Sequence, residues 1–306
     1  MSSSPRYAFP LSYKVRLPGE EGIELEVADW PGPADVAPLV CLHGFTRTGR
    51  DFDELARSLA GRRRVICPDL VGRGRSSRLA DPKGYVMRNY LQHVVQLLET
   101  LGVTRIALLG VSMGGLVAMG LAAHPAITVE DLVVVDVGPE VPAVALDLLS
   151  LYLAADHVFP SFDALMAHVK RYCSACNLDS DTALRHFAHR GARRLPDGRY
   201  TLNYDPAIRV PFAQDLRNIA AMWPIYDAIT ARTLVLRGAK SHVLPEVVAE
   251  AMHRRGPRAQ LETLPGVGHW PSLMVANEID IVNRFLDGIP ATRPMPVAAP
   301  SLARSA

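Results

Sequence analysis

Cysteine is scarce in this chain: four in 306 residues (Cys41, Cys67, Cys173 and Cys176), too few and too unevenly spaced for a disulfide framework. They suit a reducing compartment. An excess of one charge is missing too, with 33 Lys and Arg against 31 Asp and Glu. Without a basic surplus to neutralise phosphates, nucleic acid is not an expected partner. Residues Met1 to Pro10 hold one Arg and no apolar run, unlike a signal peptide or transit sequence. The expectation is a cytoplasmic protein, monomer or homodimer, with residues 1–10 disordered. No membrane partner is expected either. The uncharged run from Ile106 to Ala123 reaches the 18 residues that a span needs, but four glycines and a serine interrupt it. What the chain has in quantity is apolar side chains, 49% of its residues, enough to bury one large α/β domain or two smaller ones.

Strand-like and helix-like segments alternate along the first part, the pattern of a parallel sheet covered by helices. Ile23 to Trp30 alternates apolar and acidic residues and reads as a half-exposed edge strand. Pro38 to Leu42 and Arg64 to Pro68 read as buried strands, with a helix at Arg50 to Leu59 between them. From Val86 to Leu101 the apolar residues form a helical stripe closed by Gly102. Ile106 to Val111 is a strand, Met113 to Ala123 a helix, and Asp131 to Val137 a strand again. The rhythm stops at Gly138-Pro139. For about ninety residues the pattern is helical and irregular, without a central-strand signal. Within it Phe162, Leu165, Met166, Val169 and Tyr172 share one helical face, and Pro196-Asp197-Gly198 is a turn. Thr233 to Arg237 restarts the strands. A helix near Pro245 to Arg254, a strand near Ala259 to Leu264 and a helix near Val275 to Leu286 follow. The tail rich in Pro, Ala, Ser and Arg, residues 290–306, is expected to be disordered.

The chemistry-bearing segment is Gly110-Val111-Ser112-Met113-Gly114, a G-x-S-x-G between an expected strand and an expected helix. At so sharp a turn, side chains two residues to either side of the serine would collide, which accounts for both glycines. The helix start beneath the serine favours negative charge on a reacting oxygen. An acyl-transfer serine needs a base. Of ten histidines, His269 stands apart, in the loop Gly266-Val267-Gly268-His269-Trp270 after a late strand. A tetrahedral intermediate also needs donors, and the N–H groups of Phe45 and Met113 are the candidates. His43 is a candidate for the substrate pocket or, more simply, for tying its loop down. Leu146, Leu149, Tyr152, Leu153, Phe159, Phe212, Met222 and Trp223 are candidates for an apolar pocket, with Trp223 preferred. Cys173 and Cys176 have C-x-x-C spacing but lack a second ligand pair, so no metal is expected.

These segments resemble the α/β-hydrolase superfamily, specifically its lidded bacterial serine hydrolases. The resemblance is carried by Leu42-His43-Gly44-Phe45, Asp69-Leu70-Val71-Gly72-Arg73-Gly74-Arg75-Ser76, Gly110 to Gly115, Trp223-Pro224-Ile225-Tyr226-Asp227, Leu236-Arg237-Gly238 and Gly266-Val267-Gly268-His269, and spans residues from about 12 to 288. It implies a mostly parallel sheet flanked by helices, with a core of residues 11–138 and 223–289 and a helical lid, 139–222, inserted after strand 6. It also implies a cofactor-free serine hydrolase acting on a small-molecule ester or lactone, with carbon–carbon bond hydrolysis and non-catalytic ligand binding as the alternatives. Relatives usually place the histidine-orienting Asp in Arg-Gly-x-x-Ser-Asp; here Arg237-Gly238-Ala239-Lys240-Ser241 ends in His242. An imidazole does not stabilise an imidazolium as a carboxylate does. Asp136, ending the sixth strand, is the substitute expected to complete a set with Ser112 and His269, and Glu246 is a more distant one. For a carbon–carbon substrate bearing a carboxylate, Arg190, Arg193 and Arg209 are candidates.

Overall fold

The computed structural model describes residues 9–19, 22–173, 175–178, 180–211 and 222–289. Phe212 and the termini for which disorder is expected, apart from residues 9 and 10, lie outside them. Eight strands make the main sheet: β1 (Leu11–Arg16), β2 (Glu24–Trp30), β3 (Leu39–Leu42), β4 (Val65–Pro68), β5 (Arg105–Val111), β6 (Thr128–Val135), β10 (Arg232–Gly238) and β11 (Gln260–Leu264). Their order is β1-β2-β4-β3-β5-β6-β10-β11, antiparallel at β1-β2-β4 and parallel from β4 onwards.

Alternation along the strands divides the core between the two faces. Ile106 and Leu108 of β5 join a cluster with helices α2 (Met87–Thr100) and α3 (Met113–Ala122), whereas Ala107 and Leu109 join one with α1 (Asp53–Ser58) and α9 (Ala276–Leu286). Burying each such aliphatic side chain stabilises the fold by about 1.5–3 kcal/mol. The uncharged run from Ile106 thus resolves into β5, a turn and α3. Among the described residues no helix is long and apolar enough to cross a membrane.

One strand departs from its pattern. Ile23 to Trp30 reads as an edge, but β1 takes the edge and six of the seven residues of β2 are buried. Its acids are matched from elsewhere. Asp29 accepts from the Arg64 guanidinium (2.6 and 3.0 Å) and from the Tyr13 hydroxyl at 2.6 Å, and the Glu26 carboxylate faces Arg75 Nε at 3.9 Å.

Between β6 and β10 the described chain forms α4 (Ala143–Ala154), α5 (Phe162–Tyr172), α6 (Asp181–Arg190) and α7 (Trp223–Asp227). It also forms a separate antiparallel sheet of β7 (Val158–Phe159), β8 (Ala192–Arg194) and β9 (Tyr200–Leu202), which periodicity does not reveal because each strand spans only two or three residues. Gly198, at φ 89°, turns the chain between β8 and β9. Helix α8 (Glu246–Arg254) follows β10. The segment is tied to the core by backbone bonds: Gly74 N–H to Asn203 O, Asp205 N–H to Gly72 O, and Gly268 N–H to Ala175 O, at 2.7–2.9 Å.

Candidate active site

Strands β3, β5, β6 and β10 run parallel, and their carboxyl ends bring distant loops to one edge of the sheet. Ser112 follows β5 at φ 52° and ψ −118°, outside the usual range of L-residues, and its N–H is held by Val135 O at 2.9 Å. A Cβ on Gly110 would strike the backbone of Gly114, and one on Gly114 the carbonyl of Leu42. Close approach of α3 to β5 and β3 therefore demands both glycines.

Asp136 follows β6, fully buried, at φ 55°. Its N–H donates to Leu236 O, and its Oδ1 accepts from Gly238 N–H at 2.9 Å, so the two adjacent strands fix the carboxylate. Oδ2 then lies 2.7 Å from His269 Nδ1, and His269 Nε2 lies 3.1 Å from Ser112 Oγ. Three groups separated in sequence by 133 and 157 residues thus form one hydrogen-bonded chain. His242 stands beside it: its ring meets that of His269 edge-on, 5.9 Å between centroids. Glu246 does not take the place expected of a more distant substitute, because His269 Nδ1 is paired with Asp136.

Phe45 and Met113 both face the cavity above Ser112. Met113 opens α3, where an N–H has no intrahelical acceptor. The Phe45 loop is held by Arg73, which sequence inspection passes over as a basic residue in a glycine-rich turn. Arg73 is buried; its Nε donates to Phe45 O at 2.9 Å, its Nη1 to Val71 O and Tyr90 Oη at 2.9 and 2.6 Å, and its guanidinium stacks on both aromatic rings. A single Arg between Gly72 and Gly74 was the available signal.

The loop carrying His269 has its own brace, also without a local signature. Buried Glu278 accepts from Ser272 Oγ, Leu273 N–H and Asn177 Nδ2 at 2.7–3.1 Å, and burial raises its carboxyl pKa. Buried Cys176 donates its thiol to His269 O at 3.8 Å. Among the described residues no group of three or more His, Cys, Asp or Glu side chains could hold a metal ion.

The cavity encloses about 320 Å³. Its walls are mainly apolar, with Leu146 and Leu149 of α4 facing Val137, Val243 and Trp270. Other pocket expectations are corrected. His43 is sealed below the wall, where Nε2 accepts from Leu70 N–H at 2.9 Å and Nδ1 donates to Gly44 O at 2.8 Å. Trp223 lies off the wall because its Nε1 donates to Glu140 and its face carries the Arg255 guanidinium. Tyr152, Leu153, Phe159 and Met222 are likewise absent from the lining. Arg47 is the one arginine on the described wall, and both its Nε and its Nη2 are bound to Asp51 at 2.6–2.7 Å.

A sequence profile of the α/β-hydrolase fold matches residues 37–273. The chain belongs to the α/β-hydrolase family. It is 35% identical over 297 residues to a 3-hydroxybutyrate-oligomer hydrolase of Cupriavidus necator, covering 94% of this chain and all of that one. A 2-hydroxymuconate semialdehyde hydrolase of Pseudomonas putida is 29% identical, with 73% of this chain and 77% of that one covered. The crystal structure of an α/β hydrolase from Novosphingobium aromaticivorans superposes with a TM-score of 0.84 at 33% identity, over 92% of this chain and 99% of that one. This α/β hydrolase therefore shares both its fold and most of its length with other hydrolases.

Proposed function

We propose that the protein is a cofactor-free serine hydrolase of small carboxylic esters, with oligoesters of short hydroxy acids as its natural substrates and residues 139–222 as a lid over the site. The observation that carries the reading is the continuous chain Asp136, His269, Ser112 opening on an apolar cavity of about 320 Å³. The likeness to the Cupriavidus oligomer hydrolase along its whole length supports the substrate.

In this reading His269 Nε2 takes the Ser112 proton as Oγ attacks the ester carbonyl. The N–H groups of Phe45 and Met113 receive the charge that develops on the carbonyl oxygen. The carbon–oxygen bond breaks, His269 returns the proton to the departing alcohol, and Ser112 keeps the acyl group. Water, deprotonated by His269, then releases the acid. Asp136 orients His269 and stabilises its charged form.

Incubation with the dimer and trimer of 3-hydroxybutyrate, with monomer release read by chromatography, tests the substrate; short and medium p-nitrophenyl esters test the chemistry. Ser112→Ala is expected to lower kcat by about 10⁶ without changing the fold. Unchanged turnover in that variant would remove Ser112 from the reaction. A carbon–carbon hydrolase reading has less support: Arg190, Arg193 and Arg209 are absent from the described cavity wall, and Arg190 faces Asp53 at 3.4 Å.

A further inference from the structure

His242 occupies the position where relatives resembling this chain carry the acid, and Asp136 leaves it without that task. Its side chain is exposed at the rim of the cavity, lines it, and makes no hydrogen bond to another described residue. Its neighbour is the ring of His269, 5.9 Å away between centroids. His269 returns a proton to the leaving alcohol, so a group beside His269 on the rim is beside the leaving half of an ester. The described cavity wall holds no Asp or Glu, and its arginine, Arg47, is already neutralised by Asp51. Among the described wall residues His242 is thus the one imidazole besides the proton-carrying His269, while Arg47 commits its Nε and Nη2 to Asp51.

We infer that His242 is a specificity residue that binds the carboxylate of an ester whose alcohol half is itself a hydroxy acid. The inference rests on the serine-hydrolase reading and sharpens it. In the dimer of 3-hydroxybutyrate the leaving oxygen and the carboxyl carbon are separated by two carbon atoms, so a carboxylate lies near its own scissile bond. Two adjacent rings divide the work: His269 addresses the leaving oxygen and His242 the carboxylate. Partial loss of water at the rim and the adjacent His269 keep the pKa of His242 below its ordinary value, with Asp136 opposing. A neutral imidazole still donates one N–H, and a hydrogen bond to a charged acceptor is stronger than one between neutral groups.

The test compares the free-acid dimer with its methyl ester, which has the same internal ester and no carboxylate, cleavage of the methyl ester being followed as release of methyl 3-hydroxybutyrate. His242→Ala is expected to lower the preference for the free acid, as a ratio of kcat/KM values, by about tenfold, mainly through KM. His242→Gln, whose amide donates a hydrogen bond, should recover part of it. His242→Asp should turn the preference towards the methyl ester through like-charge repulsion. Equal losses on both substrates, or losses confined to kcat, would overturn the assignment, as would an unchanged ratio. Failure of the parent reading looks different: Ser112→Ala would then still cleave both compounds.

Discussion

At the scale of single residues, the acid is the position where conventional spacing misleads. In the proposed triad Asp136 serves from the end of β6, because Leu236 and Gly238 of the neighbouring strand fix its backbone and one oxygen and leave the other for His269. Asp136→Asn is expected to preserve the melting temperature within a few degrees and to cut kcat by roughly 10⁴, the scale seen when a protease triad loses its acid. Steady-state kinetics on a p-nitrophenyl ester check it, and a near-silent variant would refute the role. His43 gives a second prediction. Burial, helped by the nearby Arg73 and Arg47 charges and opposed by the bond to Gly44 O, holds its pKa down to about 3. In the unfolded chain a histidine titrates near 6.5. Its contribution to stability is therefore complete above about pH 6.5 and is lost as pH falls from there towards 3, at about 1.4 kcal/mol per pH unit. Asp69 acts in the opposite direction: burial raises it to about 6, so its contribution is present at low pH and lost as pH rises through that value. Urea midpoints at pH 7, 5 and 4 should show a flatter acid limb in His43→Asn than in the parent chain.

At the scale of elements, the site depends on two loops, each fastened by one buried charged side chain. Arg73 serves three oxygen acceptors and the Met113 sulfur at once under the Phe45 loop. Arg73→Met leaves those acceptors unpaired at about 1–3 kcal/mol for each buried group. The expected outcome is a lower melting temperature together with a lower kcat. Arg73→Lys should not restore either, since one ammonium cannot reproduce the planar fork. Full recovery in the lysine variant would show that only charge matters there. How far such features are legible in a sequence follows from where their partners lie. β3 and β5 are continuous apolar runs, and G-x-S-x-G declares its own turn. The glycine-rich setting of His269 also reads locally. By contrast β2 reads as an edge because Asp29 finds Arg64 thirty-five positions away, and Arg73 and Glu278 bond to loops that share no periodicity with them. Trp223 has a helix start and an aromatic ring to recommend it for the pocket, yet which side of the helix faces the cavity depends on Glu140 and Arg255.

At the scale of the whole molecule, two apolar clusters clamp the sheet from opposite faces and leave its carboxyl edge to the chemistry. Serine acyl transfer by the proposed set requires no Lewis acid, so dialysis against a strong chelator is expected to leave ester turnover unchanged; a loss restored by zinc would contradict the mechanism. The chain between β6 and β10 is less separable than its position as an insertion suggests. Ala175 O receives the Gly268 N–H, and the Cβ of Ala175 is what a side chain at 268 would strike. Asn177 reaches the same Glu278 that secures Leu273. Anyone transplanting this segment into a relative, or a relative's segment into this chain, would be cutting across a seam stitched from both sides. Residues 175–177 and 268–278 are bonded into one unit, and the graft that carries both is the one that keeps the histidine in place.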